Sequence, residues 1–222
     1  MTDYYVLHSG GLDSTTALAL AAGKNDLRNL YSVGVDYGQR HKKELQAAQV
    51  TAAALGARRL TLDLTGYGDS VESALTDPNI AVPEGDYDSD NMAVTVVPGR
   101  NAVFLAAIAG IAQSVSKGHP AVIVIGVHGG DHHLYPDCRP EFIEYQSKAL
   151  QSAYGVTVEA PFLNVDKAEI IRRGVKVGAP LVDTWSCYND GAFQCGRCGT
   201  CRERIESFKQ AGVTDQTIYE TI

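Results

Sequence analysis

The strongest constraint on the fold is a strand, a tight turn and a helix close to the start of the chain. Residues 4–7 are β-formers and are followed by Gly10 and Gly11. Residues 13–15, an Asp, a Ser and a Thr, suit the first turn of a helix. The free N–H groups of such a turn and the positive end of its dipole favour a bound anion. The stretch therefore predicts a phosphate or pyrophosphate site after the first strand.

The spacing of this stretch excludes two common phosphate loops. It contains neither G-x-x-x-x-G-K-[ST] nor G-x-G-x-x-G. Residues 9–14, Ser-Gly-Gly-Leu-Asp-Ser, instead resemble S-G-G-x-D-S, the pyrophosphate loop of ATP pyrophosphatases. That resemblance implies that the loop holds the β- and γ-phosphates of ATP while a substrate oxygen attacks the α-phosphorus. A helix N-cap in a glycine-rich turn is the structural alternative.

Alternation of strand and helix patterns predicts an α/β fold with a doubly wound, mostly parallel sheet. The expected strands are 4–7, 30–38, 59–64, 121–126 and 156–160, and the expected helices are 12–22, 41–55, 102–115, 140–154 and 167–177. Ligands of such sheets bind at the carboxyl ends of strands, where Asp36, Tyr37 and Gln39 lie. Capping of the next helix is the alternative role for Asp36.

Residues 66–97 lack periodicity and include an acidic run at 84–90. A loop of this length inside a compact domain is usually functional or mobile, so we predict a partly ordered lid. A solvated excursion without function is the alternative.

Two cationic side chains are candidates for contact with charged substrate groups. Arg100 and Asn101 start a predicted helix, and a guanidinium there can fork a phosphate or a carboxylate. Lys167 could bind a phosphate as a point charge, or be an ordinary exposed helix lysine. The predicted ATP-binding residues are His8, Ser9, Gly10, Gly11, Leu12, Asp13, Ser14, Thr15, Thr16, Asp36, Tyr37, Gln39, Arg100 and Asn101.

Four cysteines near the end of the chain predict a metal site. Cys187, Cys195, Cys198 and Cys201 follow the spacing C-x7-C-x2-C-x2-C, which suits tetrahedral Zn²⁺. An iron–sulfur cluster is the alternative, although the usual C-x3-C-P continuation is absent. We therefore predict an ATP-binding α/β domain over 1–182 and a small helical zinc-binding region over 183–222.

Composition limits the partners. The net charge of -7 argues against a protein that binds nucleic acid through clustered cations. The chain shows no apolar run of roughly 18 residues and no secretory leader pattern. We therefore expect no membrane association, no nucleic-acid partner and a cytoplasmic location.

The joint order of several motifs resembles the 7-cyano-7-deazaguanine synthase family. These motifs are residues 9–16, 37–41 (Tyr-Gly-Gln-Arg-His), 97–101 (Val-Pro-Gly-Arg-Asn), 135–142 (Tyr-Pro-Asp-Cys-Arg-Pro-Glu-Phe), 167–170 and 184–188 with the cysteines. The resemblance implies a Rossmann-like fold of the adenine nucleotide alpha hydrolase type. It also implies ATP-dependent conversion of 7-carboxy-7-deazaguanine and ammonia, through an adenylated acid and an amide, to the nitrile of the queuosine route.

The resemblance further implies cofactors, partners and roles. ATP, Mg²⁺ and structural Zn²⁺ are the expected cofactors, and a homodimer is expected. The implied catalytic residues are Ser9, Asp13, Ser14, Arg100 and Lys167. The implied substrate-binding residues are Asp131, Tyr135, Asp137 and Arg139.

Alternatives arise where the chain departs from the family pattern. His128 stands where the family typically has Asn, and His133-Leu134 replaces Ser-Gly before Tyr135. This departure gives an amide-forming 7-deazaguanine synthase as one alternative. A tRNA-thiolating enzyme with the same loop and a regulator that binds ATP without turnover are alternatives of other classes. Cys138 is expected to pack in its loop, because no activating partner is evident.

Overall fold

The structure is a computed structural model that describes residues 1–83 and 90–220. Its strands are β1 Thr2–Leu7, β2 Leu27–Asp36, β3 Arg58–Asp63, β4 Ala121–Val124 and β5 Val156–Glu159. Its α-helices are α1 Leu12–Ala22, α2 Lys43–Ala54, α3 Thr65–Gly68, α4 Arg100–Ser116, α5 Pro140–Tyr154, α6 Lys167–Lys176 and α7 Gly199–Ala211. Short 3-10 helices cover Asp90–Thr95, Gly129–Asp131, Pro136–Cys138 and Leu181–Asp183.

The five strands form one parallel sheet in the order β3-β2-β1-β4-β5, which confirms the predicted fold class. Strand β1 is central, with Tyr4 opposite Leu30 on β2 and opposite Val122 on β4. Residues 3–6 of β1 pair with neighbouring strands on both sides. The strand order reverses at β1, which is where open α/β sheets bind ligands.

Side chains of β1 alternate between two apolar layers, as the period of a strand requires. Tyr5 packs with α4 and α5 residues such as Leu105 and Ile143 on one face. Tyr4 and Val6 pack on the other face with α1, α6 and α7. Burial on both faces explains why β1 reads as a short continuous apolar run rather than an alternating one.

Predicted helix and strand positions agree with the structure within a few residues. Helices α1 and α5 have the expected bounds, each closed by a glycine, and β2 begins three residues before the predicted 30–38. One stretch, Met92–Ser116, is long and apolar enough to cross a membrane by length and composition. Its α4 residues Phe104, Leu105 and Ile108 are buried against the sheet, so they belong to the core.

The predicted lid is partly described. Its described parts contain α3 and a 3-10 helix, and Leu75, Met92 and Thr95 are buried. Most of the acidic run, residues 84–89, lies outside the described residues. The described parts therefore pack on the domain, beside the cavity that is lined by Leu75.

Helix α7 joins the C-terminal region to the sheet domain by packing on α6. Phe208 of α7 belongs to the same apolar layer as Ile170 and Ile171. The division at residue 182 stays a prediction, since this layer continues across it.

Candidate active site

A cavity of about 260 Å³ opens at the carboxyl ends of β1, β2 and β4. Its walls bring together predicted residues that are far apart in the sequence. The predicted site residues that line it are Ser9, Gly11, Leu12, Asp13, Ser14, Tyr37, Arg100, Asn101, Asp131, Tyr135 and Lys167.

The loop between β1 and α1 forms one wall of the cavity. Two other backbone segments, at Glu44 and at Gly126, pack closely against it. Gly10 has φ +91°, and a Cβ there would lie 2.2 Å from the carbonyl oxygen of Glu44. A Cβ on Gly126 would lie 3.2 Å from the Ser14 nitrogen. The Ser9 Oγ accepts from the Gly11 N–H at 3.2 Å and lies 3.1 Å from the Ser14 Oγ. These contacts fix the loop beside the first turn of α1, as an anion site requires.

His8 lies beneath this loop and is completely buried. Its Nδ1 is 2.7 Å from the Ser32 Oγ, and its Nε2 is 3.1 Å from the Thr15 Oγ1 and 3.3 Å from the Thr51 Oγ1. Burial and the charge of Arg59 lower the pKa of His8 to about 3, so the ring is neutral. The histidine thus links β1, β2, α1 and α2 from outside the cavity.

Other predicted residues support the cavity without lining it. Gln39 is buried and donates to the Val35 carbonyl and to Glu44, while Asp36 accepts from the Gly38 N–H. Asp137 accepts from the Asn101 N–H at 2.9 Å, which satisfies the start of α4. Arg139 donates to the His132 carbonyl. Gly10, Thr15 and Thr16 also lie outside the lining.

A charged cluster occupies the side of the cavity nearest the loop. Lys167 Nζ lies 3.4 Å from Asp13 Oδ2 and 2.5 Å from Glu203 Oε2. Burial lowers the pKa of Lys167, but the charges of Asp13, Glu203 and Asp131 outweigh burial and raise it above its ordinary value. Its ammonium is therefore retained and already paired.

His128 completes this cluster. Its Nδ1 accepts from the Gly130 N–H at 3.0 Å, so the ring proton of the neutral form sits on Nε2. That nitrogen lies 3.5 Å from Asp131 Oδ1 and 3.9 Å from both Asp13 Oδ2 and Glu203 Oε1. The histidine therefore faces three carboxylates, and it does so at a position where the family typically has Asn.

Another part of the cavity wall is aromatic. Arg100 donates to the Tyr37 hydroxyl at 3.3 Å and lies over its ring. The Tyr135 hydroxyl is 3.0 Å from the Thr95 Oγ1, and Tyr188 lies on the same wall. Burial raises the pKa of Tyr37 to about 12 and raises that of Tyr188 well above its usual value. These hydroxyls are consequently neutral hydrogen-bonding groups.

Cys138 lines the cavity but is not an activated nucleophile. It is buried, and the Asn101 side-chain N–H donates to its sulfur at 3.4 Å. Burial, with Asp131 and Asp137 nearby, raises the pKa of the thiol well above its usual value. A protonated thiol is a poor nucleophile, so this cysteine contributes packing.

The four C-terminal cysteines converge as their spacing predicts. All four are buried, and their sulfurs lie within 4.8 Å of one another. Sγ–Sγ distances of 3.9 Å and 4.0 Å are close to the roughly 3.8 Å expected for tetrahedral thiolates around zinc. The N–H groups of Asn189 and Cys195 donate to the Cys187 sulfur, at 3.3 Å and 3.4 Å. The arrangement can hold a metal ion.

The cysteine region also builds part of the cavity. The Trp185 N–H donates to the Gly10 carbonyl at 2.9 Å, and the Trp185 indole N–H donates to the Cys187 carbonyl. Arg204, which is almost completely buried, donates to the Thr184 Oγ1 at 2.7 Å and pairs with Asp215. The start of α7 and the segment before Cys187 are thereby held against the loop between β1 and α1.

Comparison with known proteins decides the family. A family model described as "Queuosine biosynthesis protein QueC" matches residues 4–212. The chain belongs to this family. The resemblance found from the motifs is therefore confirmed.

Individual relatives agree with this QueC assignment. The chain is 48% identical over 220 residues to "7-cyano-7-deazaguanine synthase" of Allorhizobium ampelinum, with 97% of this chain and 91% of that protein covered. The protein of the same name from Brucella anthropi is 47% identical over 220 residues, with 97% and 92% covered.

Among solved structures, NMN synthetase from Francisella tularensis has a TM-score of 0.48 at 12% identity, covering 97% of this chain and 73% of that one.

Several side chains of this QueC family member reach the cavity without having been predicted to do so. They are His41, Glu44, Leu75, Phe104, Trp185, Ser186, Tyr188 and Thr200. His41, Trp185 and Tyr188 lie inside the quoted motifs, which was the available signal. Glu203, the partner of Lys167, lies in no quoted motif, and its position follows only from the docking of α7.

Proposed function

We propose that the protein converts 7-carboxy-7-deazaguanine, ammonia and ATP to 7-cyano-7-deazaguanine. One observation carries the proposal: the pyrophosphate loop, Lys167 and Arg100 all face one cavity at the strand-order reversal of a parallel sheet. Relatives named as this synthase, 47% and 48% identical over nearly the whole chain, support the choice of substrate.

The proposed reaction uses two activations of the same carbon. A carboxylate oxygen of the acid attacks the α-phosphorus of ATP, and pyrophosphate leaves. Ammonia then attacks the acyl carbon, AMP leaves with one former carboxylate oxygen, and the proton is lost to give the amide. The amide oxygen attacks a second ATP, and AMP departs with that oxygen as the remaining N–H protons are lost, leaving the nitrile. Each activation thus yields one AMP and one pyrophosphate.

Residues of the chain supply orientation and charge for these steps. Backbone N–H groups at the start of α1 and the hydroxyls of Ser9 and Ser14 fit the leaving pyrophosphate. Lys167 retains its proton beside Asp13 and Glu203, and its N–H groups would orient a phosphate there although the two carboxylates offset part of its charge. Tyr37 and Tyr188, whose hydroxyls are neutral, line the same cavity and fit a planar heterocycle through stacking and hydrogen bonds.

The donor sets fit the proposed metals. The four sulfurs of Cys187, Cys195, Cys198 and Cys201 would hold Zn²⁺ in a structural role. Asp13 Oδ1 is buried and has no hydrogen-bond partner among the described residues. The carboxylate of Asp131 is close by, because both Asp13 and Asp131 lie within 4 Å of the His128 Nε2. Such carboxylate oxygens would hold Mg²⁺, which neutralises charge on phosphate when bound.

The direct test is mass spectrometry of the zinc-loaded protein incubated with the acid, ammonium, Mg²⁺ and ATP. Nitrile together with AMP supports the proposal. Amide alone would favour the amide-forming alternative, which was raised by the altered residues at His128 and His133-Leu134. Recovery of the unchanged acid with no AMP would refute the proposed substrate. The homodimer and the cytoplasmic location belong to the proposal too, and light scattering tests the first.

A further inference from the structure

The two cationic side chains in the cavity differ in how their charge is balanced. Lys167 is paired with Asp13 and Glu203 at 3.4 Å and 2.5 Å. The carboxylates therefore already offset the ammonium, and its net contribution to binding another anion is reduced.

Arg100 has no comparable partner. In the parts of the chain that the structure describes, no carboxylate oxygen lies within 4.0 Å of its guanidinium nitrogens. The guanidinium donates to the neutral hydroxyl of Tyr37 at 3.3 Å. Asp137, the carboxylate that influences it from further away, accepts from the Asn101 N–H. Arg100 is partly buried, and a partly buried charge without a carboxylate partner is stabilised by a ligand anion beside it.

The surroundings of Arg100 distinguish between two possible anions. Tyr37, Phe104 and Tyr135 line the cavity near it, and these flat, largely apolar faces suit an aromatic ring. The triphosphate has other donors, since hydroxyl and N–H groups of the loop between β1 and α1 also line the cavity. A planar guanidinium also pairs two carboxylate oxygens at once.

We propose that Arg100 binds the carboxylate of the heterocyclic acid and thereby makes the first activation selective for acid over amide. This inference rests on the proposed function. The amide of the same ring has nearly the same shape but no charge, so Arg100 gains little from it. The residue therefore determines which of the two activations the cavity favours at equal ligand concentration.

Equilibrium binding tests this selectivity without turnover. The zinc-loaded protein, saturated with Mg²⁺ and α,β-methylene ATP, is titrated with 7-carboxy-7-deazaguanine and separately with its amide by calorimetry. A hydrogen bond to a charged group corresponds to roughly a 10- to 150-fold preference for the acid. Arg100→Gln is expected to reduce this preference to near one. Arg100→Lys keeps the charge but loses the fork, so an intermediate preference is expected.

Arg172→Gln is the matched control, because it removes the same charge from the exposed surface of α6. Arg172 pairs there with Glu169 and the Gln210 carbonyl. The Arg172→Gln variant is expected to retain the wild-type preference for the acid over the amide. Melting temperature and zinc content are measured for all variants, and Arg100→Lys carries the test if Arg100→Gln does not fold.

Distinct outcomes separate this inference from the proposed function. Equal affinity of the wild type for acid and amide overturns the assignment of Arg100, even if nitrile is formed. Equal loss of both affinities in Arg100→Gln, with weaker binding of the ATP analogue, also overturns it and assigns Arg100 to phosphate. Binding of neither ligand by the wild type overturns both proposals together.

Discussion

Substitution Gly10→Ala tests the close approach between the phosphate loop and α2. The added Cβ would lie 2.2 Å from the Glu44 carbonyl oxygen and 2.5 Å from the Ala48 nitrogen. Both atoms are backbone, so relief requires movement of α2 or of the loop. Gly10 also has φ +91°, which L-residues rarely adopt.

The magnitude follows from two separable effects. An alanine held at positive φ costs about 1–2 kcal/mol. Overpacking against backbone adds about 1–3 kcal/mol. We therefore expect Gly10→Ala to lower the free energy of unfolding by about 2–5 kcal/mol.

Gly155→Ala isolates the conformational effect. Gly155 has φ +69° at the end of α5, and a Cβ there meets nothing within 4 Å. It is expected to cost about 1–2 kcal/mol and no more. The difference between the two variants therefore measures the close contact alone.

Urea denaturation of the zinc-loaded proteins, followed by circular dichroism, provides both values. AMP formation is measured in parallel, because a displaced loop also moves Ser9 and the Gly10 carbonyl that accepts from Trp185. We expect Gly10→Ala to lose AMP formation even under conditions where it is folded, and Gly155→Ala to retain it. If Gly10→Ala is no less stable than Gly155→Ala, the packing of α2 on the loop is not as described.

Three further predictions concern the loop, the metal and pH. Asp13→Ala is expected to abolish AMP formation while the circular dichroism spectrum and zinc content stay unchanged; measurable AMP release would contradict the assigned role. Cys195→Ser is expected to lower zinc content and melting temperature together, because metal binding is coupled to folding; wild-type zinc stoichiometry by elemental analysis would refute this. His8 has its pKa lowered from 6.5 to about 3 in the folded protein, so the unfolded chain gains a proton first as pH falls. The stability that neutral His8 contributes is present above pH 6.5 and is lost as pH falls towards 3. Between pH 7 and pH 5 it amounts to about 2 kcal/mol. His8→Gln is expected to flatten the pH dependence of unfolding by that amount, and parallel curves for the two proteins would exclude it.

Local structure was predictable from the sequence where one pattern determines it. Helix α1 was predicted with its observed bounds because Gly11 and Gly23 flank an alanine-rich run. The cysteine site was predictable because the short loops between the four cysteines keep their thiols close together. Family membership followed from the order of motifs and required no three-dimensional information.

Long-range placement was less predictable. His8 was predicted to bind ATP from its position next to Ser9, but the alternation of strand residues turns its ring towards Ser32 and Thr51. Lys167 was expected near phosphate, and its pairing with Glu203 depends on how α7 packs on α6. No spacing rule in the sequence encodes that packing.

The cysteine region has a second consequence for the reaction, because it holds two parts of the cavity wall. Trp185, two residues before Cys187, donates to the Gly10 carbonyl, and Glu203, two residues after Cys201, pairs with Lys167. A metal ion that fixes these cysteines would therefore also fix the loop and the lysine to which we assign the binding of the leaving pyrophosphate. Since both contacts come from one small region, a loss of metal should displace both at once. The metal site would then affect the proposed phosphate chemistry by positioning the cavity wall, although its four cysteines do not line the cavity.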